Sequence, residues 1–163
     1  RESLAVLACL RGDDGGVSRR VLGYLLTWME ERKTKVFIVA TANAVNELPA
    51  ELLRKGRFDE IFFVDLPRPE VRAAIFAMHL KKRKIAAESF DLNALAAASD
   101  GFSGAEIEQA VVSALYDVGG NASALDQNTL INALHETKPL SVLMHEQVQA
   151  LREWATSRCV PAD

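Results

Sequence analysis

The chain has 163 residues, 49% hydrophobic and 25% charged, the balance of an ordinary globular protein of one domain or one domain with a small appendage. Its net charge of −3, from 19 basic and 22 acidic side chains, argues against a general nucleic-acid binder, and no apolar run approaches the ~20 residues of a membrane span. Cys9 and Cys159 stand without motif spacing and read as free thiols in a reducing compartment.

The first stretch, LAVLACL at 4–10, is apolar and suits either a strand or a helix fragment; RGDDGG at 11–16 reads as a flexible acidic loop. Asp13 and Asp14 invite a metal site, but flanking glycines and the lack of a third ligand favour a solvated turn. A helix is expected from Ser18 to Arg32, with Ser18 as N-cap and Val21, Leu22, Leu25, Trp28 and Met29 along one stripe. Arg19 and Arg20 fall in its first turn, where the helix dipole disfavours cations. VFIVA at 36–40 is a β-branched and aromatic run that reads as an interior strand. Thr41, Ala42 and Asn43 follow at its carboxyl end, where open α/β sheets place ligand sites. Pro49 suits the first turn of a helix over 50–54, Gly56 permits a sharp turn, and IFFV at 61–64 is a second strand closed by Asp65, Pro67 and Pro69.

From Pro69 onward the pattern is helical. Pro69–Lys84 is amphipathic, with Val71, Ile75, Met78 and His79 read as facing inward and a basic end at 81–84 that suits a helix C-terminus. Asp91–Ser99 is short and Ala-rich, packed through Leu92 and Leu95. In DGFSGAEIEQAVVSALYDVGG, Ser103 and Glu106 form a capping box. Ile107, Val111, Leu115 and Val118 form the buried stripe there, and Gly119 and Gly120 the stop. Further helices are expected over 125–137 and 141–158, the last carrying Met144, Val148, Leu151 and Trp154 on one face, with 159–163 as a frayed tail. His79, His135 and His145 show no ligand-pair spacing.

Two features carry chemistry. Asn43 is a neutral donor and acceptor at a strand end, suited to holding a water or a phosphate oxygen. Arg54 and Arg57 lie three apart around Gly56, and each guanidinium presents a planar fork that matches phosphate oxygens. On spacing alone, an Asn that caps a turn and two solvated arginines explain the same residues.

Leu53-Arg54-Lys55-Gly56-Arg57-Phe58-Asp59 resembles, without a gap, the LR-x-GR-[FL]-D segment in the second region of homology of AAA ATPases, and Asn43 lies at that family's sensor-1 distance upstream. ATAN stands where the family commonly has ATN-R-P. Gly101-Phe102-Ser103-Gly104-Ala105-Glu106 is similar to the GFSGA-[DE] segment that opens the family's lid helix. The wording ELLRKGRFDEIFFVDLP is similar to little-characterised AAA proteins of plastid and cyanobacterial open reading frames and their bacterial relatives. The resemblance implies Asn43 as sensor 1, Arg54 and Arg57 as arginine fingers reaching a neighbouring subunit's nucleotide, and Gly104 and Ala105 as lid contacts near the adenine or ribose. No metal ligand is implied among these residues.

No G-x-x-x-x-G-K-[ST] occurs in the 163 residues, nor a strand ending in Asp-Glu. The expectation is therefore a partial P-loop NTPase (AAA) α/β domain over 1–68 followed by an all-α helical lid over 69–158, with the P-loop and Asp-Glu strand expected upstream of Arg1. The parent protein is expected to be a cytoplasmic ATPase (stromal in a plastid) that uses ATP and Mg. It would act as a homo-oligomer, a hexameric ring by analogy, remodelling a protein partner, with no membrane and no nucleic-acid partner. The 163 residues alone are expected to be inactive and not to hold nucleotide tightly. The alternative is a non-hydrolysing partner subunit that donates its arginines to an active neighbour; a helical interaction module unrelated to nucleotide would make the Arg54–Arg57 match accidental.

Overall fold

The structure, a computed structural model, describes residues 17–33, 36–42, 50–52, 54 and 56–162. They fall into two units, one comprising the described residues up to Phe62 with Arg158–Val160, the other Phe63–Ser157 with the residues from Pro161.

In the first unit, helix α1 spans Val17–Glu31. Its stripe is only partly realised: Met29 is buried, while Val21 is exposed. Arg32 follows the helix, stacks 5.7 Å from the Trp28 ring centroid and donates to the Val36 carbonyl at 3.2 Å. A guanidinium over an indole contributes about 0.5–1 kcal/mol at an exposed site. The expected strand over 36–40 is not formed: among the described residues nothing pairs with it, and Phe37 and Val39 are 87% and 63% exposed. An apolar run becomes a strand only through a ladder partner, so composition alone does not suffice. Residues 50–52 make a turn rather than a helix, with Leu52 buried.

Strand β1 is reduced to Phe62–Phe63 and strand β2 is Val160–Pro161. The Val160 N–H donates to the Ile61 carbonyl at 2.9 Å, and the Ala162 N–H to the Phe63 carbonyl at 3.1 Å.

The second unit is helical: α2 (Pro69–Lys82), α3 (Leu92–Ala98), α4 (Gly104–Asp117), α5 (Gln127–Glu136), α6 (Leu140–Leu143) and α7 (His145–Thr156), with 3₁₀ turns at Ala87–Ser89 and Ala122–Ala124. The starts are set by side chains. Asp91 accepts from the Asn93 and Ala94 amides, Ser103 and Glu106 complete a capping box, and Asp126 accepts from the Thr129 amide, each such cap contributing about 1 kcal/mol. Gly119 and Gly120 end α4 with φ of 65° and 76°, and the Gly120 N–H returns to the Leu115 carbonyl at 2.8 Å.

The core lies between α2, α3, α4 and α5, where Phe76, Leu80, Leu95, Ile107, Val111 and Leu130 are fully buried. Each such side chain contributes about 1.5–3 kcal/mol by leaving water. The inward face of α2 differs from the apolar count. Arg72, Phe76, His79 and Leu80 are buried, Ile75 packs against the core from its edge, and Val71 and Met78 point outward at 44% and 55% exposure. The face is set by Arg72, whose head finds acceptors inside, so its stem packs like an apolar chain. The single helix expected over 141–158 is broken: Met144, at φ −119° and ψ 35°, ends α6 and begins α7.

Candidate functional site

The first group of candidate residues gathers around Gly56, whose φ of 96° is a conformation that glycine adopts without a Cβ clash. Arg54 is exposed, whereas the Arg57 side chain is only 17% exposed. The Arg57 Nη1 donates to the Glu51 carbonyl at 2.6 Å and its Nη2 to the Glu30 carboxylate at the end of α1. The two arginines therefore differ: Arg54 presents its guanidinium to solvent, and Arg57 is held within its own unit. Asn43 lies outside the described residues, as do Asp13 and Asp14.

The second group lies at the start of α4. Ser103 and Glu106 cap the helix, so Gly104 and Ala105 occupy its first turn, where backbone amides point outward. Ala105 is exposed, and among the described residues a Cβ at Gly104 would meet the Ile75 Cδ1 at 3.6 Å. A side chain at Gly104 would therefore be in ordinary van der Waals contact with Ile75, while the helix start is open to solvent at Ala105. The exposed Arg54 fork has the geometry that pairs with phosphate oxygens. Among the described residues no three His, Cys, Asp or Glu side chains converge as metal ligands.

Within the helical unit, α2 and α4 make further contacts that no sequence spacing announces. Glu108 on α4 accepts from Arg83 at 3.2 Å and Lys82 at 3.4 Å, and stands 3.3 Å from the Nδ1 of buried His79. The Arg83 guanidinium, then the Lys82 ammonium, hold the Glu108 carboxyl below the usual glutamate range. The basic end of α2 thus folds onto α4. Arg72 is satisfied by three acceptors: the Ala96 carbonyl at 3.1 Å, the Pro67 carbonyl at 2.9 Å and Asp100 at 3.2 Å. Ala96 and Asp100 lie 24 and 28 residues away along the chain, which leaves no local pattern to read.

A groove of about 360 Å³ opens beside Arg72, lined also by Pro67, Asp100, Gly101, Ser141 and Arg152. Arg152 on α7 closes one wall by donating from Nε to both Asp65 oxygens, at 2.9 and 3.0 Å. No helix among the described residues is long and apolar enough to cross a membrane.

Residues 4–66 match the model of the ATPase family associated with various cellular activities (AAA). The chain is 45% identical over 145 residues to the uncharacterized AAA domain-containing protein ycf46 of Gracilaria tenuistipitata var. liui, covering 88% of this chain and 30% of that protein. It is 43% identical over 143 residues to the ycf46 protein of Pyropia yezoensis (87% and 29%), and 40% identical over 146 residues to that of Guillardia theta (89% and 29%). The chain spans under a third of the length of these curated relatives.

Proposed function

The chain belongs to the AAA ATPase family, whose domain has a P-loop NTPase fold, and on that premise we propose that it supplies the sensor, arginine fingers and helical lid of an oligomeric ATPase. The observation that supports this reading is the Gly56 turn, which presents Arg54 to solvent and sets Arg57 at the end of α1 within the span matched to the family.

ATP with magnesium, when bound, supplies the phosphoanhydride bond whose cleavage drives the cycle. The residues of this chain would act around it. Asn43 would orient the attacking water through its amide. Arg54 and Arg57 would place guanidinium charge against γ-phosphate oxygens of the neighbouring subunit, an effect worth roughly 10³–10⁵ in rate in other NTPases. Gly104 and Ala105 would let the α4 backbone approach the base or sugar, with Ile75 beneath. The helical unit would serve as the lid, turning with the state of the nucleotide in a ring, expected to be a hexamer, and passing that motion to a protein partner. Cytoplasm, or plastid stroma, is the compartment in keeping with this role.

The test is steady-state ATP turnover by the full-length protein and by its Arg57→Ala variant. Loss of most turnover in the variant, with assembly retained, supports the finger assignment. A parent protein that assembles yet hydrolyses nothing overturns it in favour of a partner subunit that lends its arginines to an active neighbour.

A further inference from the structure

The α6–α7 segment is anchored differently from the rest of its unit. Helices α2 to α5 share fully buried side chains, whereas in α6 and α7 only Ala155 is buried, and Val142 and Leu143 are each 65% exposed. With Val148, Leu151 and Trp154 only half-buried, apolar burial contributes less to holding this segment than it does in α2 to α5. Polar contacts take that part.

One of them is made by Glu106. Its Oε2 accepts from the Ser103 amide at 2.8 Å and the Ser103 hydroxyl at 2.7 Å, completing the cap of α4. Its Oε1 reaches 34 residues onward and accepts from the Leu140 amide, the first of α6, at 2.6 Å. One carboxylate thus caps two helices that begin at different places in the chain. Next to it the backbone of Gly101 approaches Ser141 so closely that a Cβ there would lie 2.5 Å from the hydroxyl oxygen. At the far end the Arg152 Nε–H donates to both Asp65 carboxylate oxygens. Between these two ties lies the groove floored by Arg72 and Asp100.

We propose that α6–α7 is a strap that opens and closes as a unit over this groove, with Glu106 as its latch. The strap is short of apolar anchoring, so breaking one charge-assisted hydrogen bond at its start shifts its opening equilibrium while α2 to α5 stay packed. The latch lies two residues from Gly104. If the nucleotide reading above holds, a ligand at the start of α4 would be felt at the strap; the latch itself does not depend on that reading.

The experiment is hydrogen exchange by mass spectrometry on the full chain, comparing wild type with Glu106→Gln, Leu140→Pro and Leu140→Ala. Leu140→Pro removes the donor from the other side of the bond. Proline is tolerated at the first helical position, and the residue before it already has an extended ψ of 147°. Leu140→Ala keeps the amide and removes only the side chain. The expected result is exchange about tenfold faster over 141–156 in Glu106→Gln and Leu140→Pro, wild-type exchange there in Leu140→Ala, and unchanged protection over 107–115 in all three. Wild-type exchange over 141–156 in Leu140→Pro overturns the proposal, as does a Leu140→Ala strap that opens as far as Leu140→Pro. Repeating the set with ADP separates the two readings: a strap that the variants open but ADP leaves unchanged keeps the latch and fails the nucleotide contact.

Discussion

Arg57 donates to the carboxylate of Glu30, 27 residues earlier in the chain, and through its other terminal nitrogen to the carbonyl of Glu51. The side chain proposed to act on a neighbouring subunit is thus occupied at home. To reach outward it must give up a charged partner that is itself 61% exposed. Such a half-exposed pair is worth about 0.2–1 kcal/mol, a cost small enough to be recovered on contact with phosphate.

Replacing Glu30 with Gln removes that competition. The expected outcome is a thermal midpoint within a few degrees of wild type, because the lost pair is weak. ATP turnover of the full-length protein should rise by up to about fivefold, the change that 1 kcal/mol makes in an equilibrium. Unchanged turnover in Glu30→Gln, in a protein whose turnover depends on Arg57, would mean that the contact does not restrain the finger.

Arg72 and Asp100 form an ion pair of unequal members. The Arg72 side chain is 6% exposed and that of Asp100 is 90% exposed. Arg72→Ala takes the guanidinium from the Pro67 carbonyl and leaves the Ala96 carbonyl with the Ser99 hydroxyl at 3.2 Å, opens space beside the core, and is expected to cost about 2–4 kcal/mol in urea unfolding. Asp100→Ala is expected to cost under about 0.5 kcal/mol, because water already solvates that carboxylate. Arg72→Lys should recover little, since one ammonium cannot serve three acceptors arranged around a planar fork. Equal losses in the two alanine variants would contradict this division.

Acid stability follows from Glu106. Its partial burial pushes the carboxyl pKa up, but hydrogen bonds from the Ser103 hydroxyl, the Ser103 amide and the Leu140 amide outweigh that and hold it below 4.5. A carboxyl lowered on folding contributes stability fully above its unfolded value and loses it as pH falls through the folded value. The helical unit should therefore weaken below about pH 4.5, and Glu106→Gln should flatten that part of the profile. Chemical unfolding of both proteins, followed by far-ultraviolet circular dichroism from pH 7 to pH 3, checks it.

Local chemistry was legible in the sequence, and long-range partnership was not. The capping box at Ser103 and Glu106 spans one helical turn, and the stop at Gly119 and Gly120 depends on backbone freedom at those residues alone, so both were readable and both are formed. The face of α2 was misread at Val71 and Met78 because apolarity was counted, while Arg72 was drawn inward by carbonyls from other segments. Residues 36–40 have a strand's composition, but a strand is completed by a partner that composition does not specify. At the candidate site, Gly56 and its two arginines could be located from their order. That Glu30 holds one of them, or that Glu106 reaches Leu140, lay beyond any spacing rule.

The run at 36–40, which has no strand partner among the described residues, also bears on how the chain is expected to behave in a tube. Phe37 and Val39 face water on a segment with the composition of a strand and no ladder partner among the described residues, the kind of template onto which a second molecule can add. With a calculated isoelectric point of 5.7, the chain loses its mutual repulsion in weak acid, well above the pH at which its helices are expected to loosen. Turbidity should therefore appear first, near the isoelectric point, as a colloidal event among folded molecules, and it should recede again on further acidification while the helical signal persists.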